Sequence, residues 1–280
     1  VPCRLLAIDL DFTLLDADRE IADVNRDAIA KAVERGIAVV LASGRGCAGM
    51  RKYAEHLGLE GAMVTCNGAL VVTPAGEVLK EHVMPPERLS KVIDFSRAGG
   101  HHLHLYCRDE VLMPEHTPWA DVYVNKAKQH PPKAVGWEGM ACATPNKAII
   151  VTSPETVKAI EADARALFDE AEAVTLSEPE YLEFLCPEAS KATGLAAVAE
   201  LLGVKQEETA AIGDYHNDVP MLRWAGVSAA VANAVGEAKA CADLVVRAHN
   251  EHGVAEFIDY LLRDERELGT SIVYNEERAG

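Results

Sequence analysis

Two pairs of aspartates are best placed to do chemistry in this chain: Asp9 and Asp11 in Asp9-Leu10-Asp11-Phe12-Thr13, and Asp214 and Asp218 in Gly213-Asp214-Tyr215-His216-Asn217-Asp218. Asp9 and Asp11 are two residues apart, so on an extended backbone their carboxylates point to the same side. One can attack phosphorus while the other handles protons, first for the leaving group and then for water. A carboxylate crowded by another has a raised pKa and can hold a proton long enough to act as an acid. Four carboxylates gathered at one point repel one another unless a cation sits among them, and hard oxygen donors partly open to water suit Mg²⁺. Taken alone, the first pair would also fit a solvated turn, and Asp218 an Asp-rich helix start. Neither explains why each cluster closes an apolar run, 3–8 and 209–212.

Those runs read as buried parallel strands ending at the carboxyl edge of a sheet, where α/β proteins bind their ligands. Strand 3–9, a helix over 24–35 ending at Gly36, strand 37–41, a helix to about Leu57 and strand 62–65 make a βαβαβ unit, followed by a hairpin over 71–79. The pattern then changes. Helix 87–98, strands 102–107 and 110–113, helix 117–128, strand 147–152, helix 154–170 and strand 181–186 read as an α+β unit. The doubly wound pattern resumes at Ser190, with helices to 202, over 218–225, 236–241 and 254–262, and strands 209–212, 227–231 and 244–246. The expected fold is α/β, a doubly wound and mostly parallel sheet formed by 1–83 and 186–280, split by an inserted α+β unit at 84–185.

Two further residues stand at helix starts. Ser43 closes the second strand, where its hydroxyl and the first backbone N–H groups can hold phosphate oxygens; an ordinary helix cap is the compatible alternative. Lys191 lies in the first turn of the helix after Ser190, where the helix dipole disfavours a cation by roughly 0.3–1 kcal/mol, so a bound anion would account for it. Asp214 offers a carboxylate beside the flexible Gly213, and Asp218, one helical turn on, can orient Asp214 or bound water, with Asn217 donating to either.

Composition narrows the ligand. The net charge of −17 over 280 residues, with no Lys/Arg-rich stretch to offset it, repels nucleic acid and anionic membrane. A phosphoester remains acceptable where a metal and a few basic groups neutralise charge locally. The seven cysteines are odd in number, scattered and free of Cys-x-x-Cys pairs, which reads as reduced core thiols. Val1-Pro2-Cys3 leads straight into the first strand, leaving no room for a signal peptide, and no apolar stretch is long enough to span a membrane. The expectation is a soluble, cytoplasmic protein whose last dozen polar residues are disordered.

With these motifs in hand, the chain resembles the haloacid dehalogenase superfamily. Asp9-x-Asp11-x-Thr13, Ser43-Gly44-Arg45, Lys191 and Gly213-Asp214-x-x-Asn217-Asp218 follow the order of its four motifs. The large insertion, Asn67-Gly68-Ala69 and Asn250-x-x-Gly253-Val254 are similar to the Cof-type sugar phosphatases with a lid. The resemblance implies that Asp9 forms an aspartyl-phosphate and that Asp11 protonates the departing alcohol and later activates water. It implies that Ser43 and Lys191 bind the phosphoryl oxygens, with Gly44, Arg45, Asn67 and Asn217 also facing the substrate. Thr13 and Asp218 would support the site from behind. Mg²⁺ would be held by the carboxylates of Asp9 and Asp214 and by Asp11 through its backbone carbonyl. The implied substrate is a small phosphorylated metabolite, such as a sugar phosphate.

One position departs from the pattern: Phe12 stands where these phosphatases usually carry glycine. If the backbone there needs positive φ, phenylalanine is strained by roughly 1–2 kcal/mol. If it does not, the ring lines the cleft, narrows its entrance and shifts substrate choice. His101-His102-x-His104 invites a metal reading, but no carboxylate or cysteine set accompanies it, and a polar strand face is the plainer one; with Tyr106 and Arg108 that face could instead look onto the site. Trp119, Tyr123 and Trp137 read as core aromatics of the insertion, with stacking on a substrate as the alternative. Two rival functions share the motifs: a phosphomutase, and a binding protein that holds phosphorylated ligands without turnover.

Overall fold

Leu5–Ile8 are fully buried and form β1, the strand on which the sheet is organised. The computed structural model describes residues 3–128, 131–170 and 173–263; the polar last dozen residues expected to be disordered lie outside them. After β1 come α1 (Asp23–Glu34), β2 (Ala38–Leu41), α2 (Cys47–His56), β3 (Met63–Thr65), β4 (Leu70–Val72) and β5 (Val78–Glu81). The insertion holds α3 (Pro86–Gly99), β6 (His102–Cys107), β7 (Glu110–Met113), α4 (Pro118–Ala127), β8 (Lys133–Ala134), α5 (Gly136–Ala141), β9 (Lys147–Val151), α6 (Pro154–Arg165), β10 (Val174–Glu178) and β11 (Tyr181–Leu185). The chain then returns through α7 (Lys191–Leu202), β12 (Thr209–Gly213), α8 (Val219–Trp224), β13 (Val227–Val231), α9 (Gly236–Cys241), β14 (Leu244–Val246) and α10 (Gly253–Leu262).

The core sheet runs β14-β13-β12-β1-β2, all parallel. The strand order reverses at β1, which makes its carboxyl end the switch-point crevice of a doubly wound sheet. Register carries the motifs there together: Ile8 pairs with Ile212 on one side and Leu41 on the other, so Asp9, Gly213 and Ala42 follow on the next rung. The insertion builds a second sheet, β10-β11-β9-β6-β7-β8, antiparallel except for β7 with β8, and over its own hydrophobic cluster. Its two faces alternate. Leu103, Leu105, Ala148, Ile150, Leu182 and Phe184 share one face, and His102, His104, Tyr106, Lys147, Tyr181 and Glu183 share the other.

Residues 62–65 do not extend the core sheet as a full third parallel strand. β3 touches it through one parallel bridge, Ala42 with Val64, and pairs instead with β4 in a separate sheet β3-β4-β5. The chain leaves β3 in an abrupt left-handed turn, with φ of 51° at Cys66, 55° at Asn67 and 89° at Gly68, which folds β4 back against it. That turn requires glycine at its end. A Cβ on Gly68 would lie 1.9 Å from the carbonyl oxygen of Ser190, the residue that caps α7. Gly68→Ala is expected to cost roughly 2–4 kcal/mol, combining left-handed strain with overpacking, measured as a lower urea midpoint at unchanged m.

Among the described residues, no helix is long and apolar enough to cross a membrane. The seven cysteines are all unpaired with one another, four of them buried.

Candidate active site

Asp9 leaves β1 into the interior, and its Oδ1 lies 2.5 Å from the Nζ of Lys191. Lys191 is fully buried in the first turn of α7, whose cap is reciprocal: Ser190 Oγ accepts from Thr193 N and Thr193 Oγ1 accepts from Ser190 N. The same Nζ donates to Asp218 Oδ1 at 2.5 Å. Asp218 Oδ2 in turn accepts the backbone N–H groups of Asp214 and Tyr215 at 2.9 and 3.0 Å, shaping the turn after β12. Gly213 makes room for this, since a Cβ there would meet Asp218 Cγ at 2.5 Å. Thr13 Oγ1 donates to Asp214 Oδ1 at 3.3 Å. Thr13 thus lies against Asp214, and Asp218 against Lys191 and the turn after β12.

Carboxylate oxygens of Asp9, Asp214 and Asp218 lie within 4.8 Å of one another, facing one buried ammonium. Burial, reinforced by the Asp218 charge and opposed by Lys191, pushes the Asp9 carboxyl up to about 7. Burial and the charges of Asp9 and Asp218 hold Asp214 well above the usual carboxylate range. Burial opposes the charge on Lys191, but Asp218 and Asp9 outweigh it and raise the ammonium. Three acidic oxygens against a single cation, with two of the acids driven toward protonation, is a donor set that fits a hard divalent ion. Among the described residues no other group of three such side chains forms, and the histidines of β6 belong to none. His102 and His104 instead touch through their Nε2 atoms at 2.7 Å, buried under α4, where His104 meets the Tyr123 ring edge-on.

Asp11 turns away from this cluster. Arg45 holds it with a fork, Nε to Oδ2 at 2.8 Å and Nη2 to Oδ1 at 2.7 Å, and Arg19 Nη1 donates to the same Oδ1. Burial opposes the Asp11 charge, yet the Arg45 and Arg19 guanidiniums outweigh it and hold its carboxyl below the usual range. Ser43 Oγ accepts the Arg45 N–H at 3.2 Å within the loop; the cap of α2 is Gly46, three residues on, so Ser43 is not that helix's cap. Asn67, presented by the left-handed turn, donates through Nδ2 to Glu183 Oε2 at 2.5 Å and accepts from Asn217 Nδ2 at 3.0 Å.

These groups surround a cavity of about 40 Å³ lined by Asp9, Asp11, Ser43, Gly44, Arg45, Asp214 and Asn217 from the core. Lys191 lies beneath it and Asn67 beside it. Its roof comes from the insertion: Tyr106, Tyr123, Lys147, Ser177, Glu178, Tyr181 and Glu183. Lys147 Nζ pairs with Glu183 Oε2 at 2.7 Å, and Tyr106 Oη donates to Tyr123 Oη at 2.8 Å. No motif announced the charged roof residues. Their available signal was period-two alternation of polar residues in apolar strands, as in Lys147-Ala148-Ile149 and Tyr181-Leu182-Glu183-Phe184.

Phe12 resolves to the first of its two alternatives: φ is 60°, so the side chain carries the strain of a left-handed residue. Its ring does not line the cavity and so does not narrow it; it lies under the Arg19 guanidinium at 4.7 Å and edge-on to His249 at 5.7 Å.

Residues 6–258 match the profile of a family described as haloacid dehalogenase-like hydrolase. The Bacillus subtilis (strain 168) protein YxeH is 33% identical over 268 residues, spanning 92% of this chain and 98% of its own. The phosphatase YwpJ of the same organism is 27% identical over 285 residues, spanning 92% and 100%. Among solved structures, a haloacid dehalogenase-like hydrolase from Bacteroides thetaiotaomicron superposes with a TM-score of 0.81 at 28% identity, covering 93% of this chain and 100% of that one. The subclass IIB sugar phosphatase BT4131 shares the fold with a TM-score of 0.83 at 20% identity, covering 92% and 98%.

Proposed function

The chain belongs to the haloacid dehalogenase-like hydrolase family, and on that premise we propose that it is a Mg²⁺-dependent phosphatase acting on a small phosphorylated metabolite through an aspartyl-phosphate on Asp9. The observation that carries this reading is the floor of the cavity: Asp9 held at 2.5 Å by the buried Lys191, with Ser43, Arg45 and Asp11 around the same space. An oxygen of Asp9 attacks phosphorus, the bond from phosphorus to the alcohol oxygen breaks, and the alcohol leaves with a proton. Water then attacks the phosphoenzyme and returns Asp9. Lys191, Ser43 and the N–H groups after it bind the phosphoryl oxygens, where charge stabilisation supplies most of the acceleration of phosphoryl transfer.

Asp11 has two proton roles. The ionised carboxylate that Arg45 and Arg19 enforce is suited to take a proton from the attacking water. The acid role needs one guanidinium drawn off, and an arriving phosphoryl group carries the charge to draw Arg45. The Asp9 and Asp214 carboxylates, with the Asp11 backbone carbonyl, would hold Mg²⁺, which when bound supplies positive charge to the phosphoryl oxygens.

The roof supports a neutral, hydroxyl-bearing leaving group. Its charges are matched internally, Lys147 by Glu183 and Lys126 by Glu178 and Glu180. Tyr181 Oη is buried at the cavity with no hydrogen-bond partner among the described residues, a donor suited to a substrate hydroxyl. The insertion, 84–185, acts as a lid over the core formed by 1–83 and 186–280, closing over the site to exclude bulk water.

Phosphate release from a panel of sugar phosphates and related monoesters, with Mg²⁺ and with EDTA, tests the reading. Metal-dependent release is expected; an isomerised ester without phosphate would indicate a mutase, and no reaction in folded protein would contradict an enzyme. A thermal measurement tests the metal independently. The Asp9 carboxyl titrates near 7 when folded against an ordinary value of 3.8, so its contribution to stability is present below about pH 4 and is lost as pH rises through 7. Asp214 moves in the same direction. Metal-free protein is therefore expected to melt lower at pH 8 than at pH 5, and saturating Mg²⁺ to raise Tm by several degrees at pH 8 and by less at pH 5. An equal Mg²⁺ shift at both pH values would contradict the assignment.

A further inference from the structure

Arg19 belongs to none of the motifs, yet it is 4% exposed and touches the core and the insertion at once. The loop before α1 turns it inward: Asp16 Oδ1 accepts the N–H groups of Asp18 and Glu20, both at 2.9 Å, and Arg19 takes a left-handed φ of 65°. Tyr53 Oη donates to its carbonyl at 3.1 Å. The guanidinium then spans two carboxylates. One N–H group reaches Asp11 Oδ1, and another reaches Glu178 Oε1 at 3.0 Å, at the end of β10 in the insertion. Its planar group lies over the Phe12 ring, whose carbonyl accepts from Asn233 Nδ2 at 2.9 Å. Phenylalanine at a left-handed position is thus the platform that fixes the guanidinium plane.

We propose that Arg19 is a positioning residue that couples closure of the insertion to alignment of the Asp11 carboxylate, with Phe12 as its platform and Glu178 as the contact that reports closure. This rests on the phosphatase reading above. With the insertion closed, Glu178 holds one side of the fork and the other side fixes Asp11 from the flank opposite Arg45. With the insertion open, Glu178 is withdrawn, and Arg19 loses the contact that keeps it in place. Asp11 is then aligned for proton transfer when the leaving group is enclosed and less so when it is exposed to water.

The test compares an alkyl phosphate with p-nitrophenyl phosphate, whose leaving group departs without a proton. In Arg19→Met, the ratio of kcat for the alkyl ester to kcat for p-nitrophenyl phosphate is expected to fall roughly tenfold, as a displaced general acid demands. KM should change by less than the ratio, and Arg19→Lys should recover part of it. Glu178→Gln should lower the ratio in the same direction, and the double variant should be no worse than Arg19→Met alone. An unchanged ratio in Arg19→Met, or single-variant losses that multiply in the double, overturns the coupling. If the parent protein hydrolyses neither ester, phosphate release from the wider panel decides the phosphatase reading and amide exchange decides the coupling. Faster exchange at the β10–β11 turn in Arg19→Met supports it, and exchange equal to the parent overturns it.

Discussion

Asp9→Asn is expected to lower phosphate release by roughly 10⁴-fold or more, as loss of the attacking group does in enzymes with covalent intermediates. The fold should survive, because asparagine has the shape of aspartate and Lys191 keeps Asp218 at 2.5 Å. The substitution also removes one of the three acidic groups crowded within 4.8 Å. Metal-free Asp9→Asn should therefore melt no lower than the parent at pH 8, above the value of about 7 to which burial raises the Asp9 carboxyl. Calorimetry beside the phosphate assay separates the two effects. A folded variant that keeps activity would remove Asp9 from the role of nucleophile.

Lys191→Met combines a large catalytic effect with a large structural one. The ammonium is fully buried and contacts both Asp9 and Asp218 at 2.5 Å, so methionine leaves those acids without their cation. Breaking a buried pair on one side costs about 3–5 kcal/mol. Losing a charge-stabilising donor from the phosphoryl site costs roughly 10²–10³ in kcat. The stability loss has a pH signature. Asp9 and Asp214 are already raised toward protonation, so at pH 5 they take up protons and the uncompensated charge is smaller. Urea unfolding in EDTA should show the full loss at pH 8 and a reduced loss at pH 5. An equal loss at both would mean that Lys191 contributes packing rather than charge.

The parts of the site legible in the sequence are those fixed by local rules. A strand that ends in Asp-x-Asp places both residues at a sheet edge, and Ser43, Lys191 and Asp214 each begin or follow an element whose apolar pattern is clear. Parallel register then does the rest, pairing Ile8 with Ile212 and Leu41. Long-range partners left weaker traces. Arg19 lies in Asp16-Ala17-Asp18-Arg19-Glu20, a run that reads as a solvated loop, and its partner Glu178 is 159 positions away. Glu183 meets Asn67 across 116 positions, and a charged residue between apolar neighbours reads equally well as solvent-facing.

Two local features also escaped. β3 looked like a third parallel strand because Met63-Val64-Thr65 is apolar enough, but its pairing is decided by the left-handed turn that follows and by β4. α5 carries glycine at both 136 and 139, which suppresses the helical signal; Gly139 packs against Val135, with a Cβ-to-Cβ approach of 2.8 Å if it were alanine. Phe12 left two alternatives open in sequence, and its φ of 60° decides between them.

The most direct test of the proposed chemistry is capture of the phosphoenzyme. Asp11→Asn keeps Asp9 and loses the group assigned to activate water, so with p-nitrophenyl phosphate and Mg²⁺ it should release p-nitrophenol in a burst of about one equivalent per protein, followed by slow turnover. Intact-protein mass spectrometry should then show one added phosphoryl group, mapping to the peptide that contains Asp9 and absent from the Asp9→Asn/Asp11→Asn variant. A burst and label that survive in that double variant, or turnover by the parent with no covalent species in Asp11→Asn, would contradict the aspartyl-phosphate.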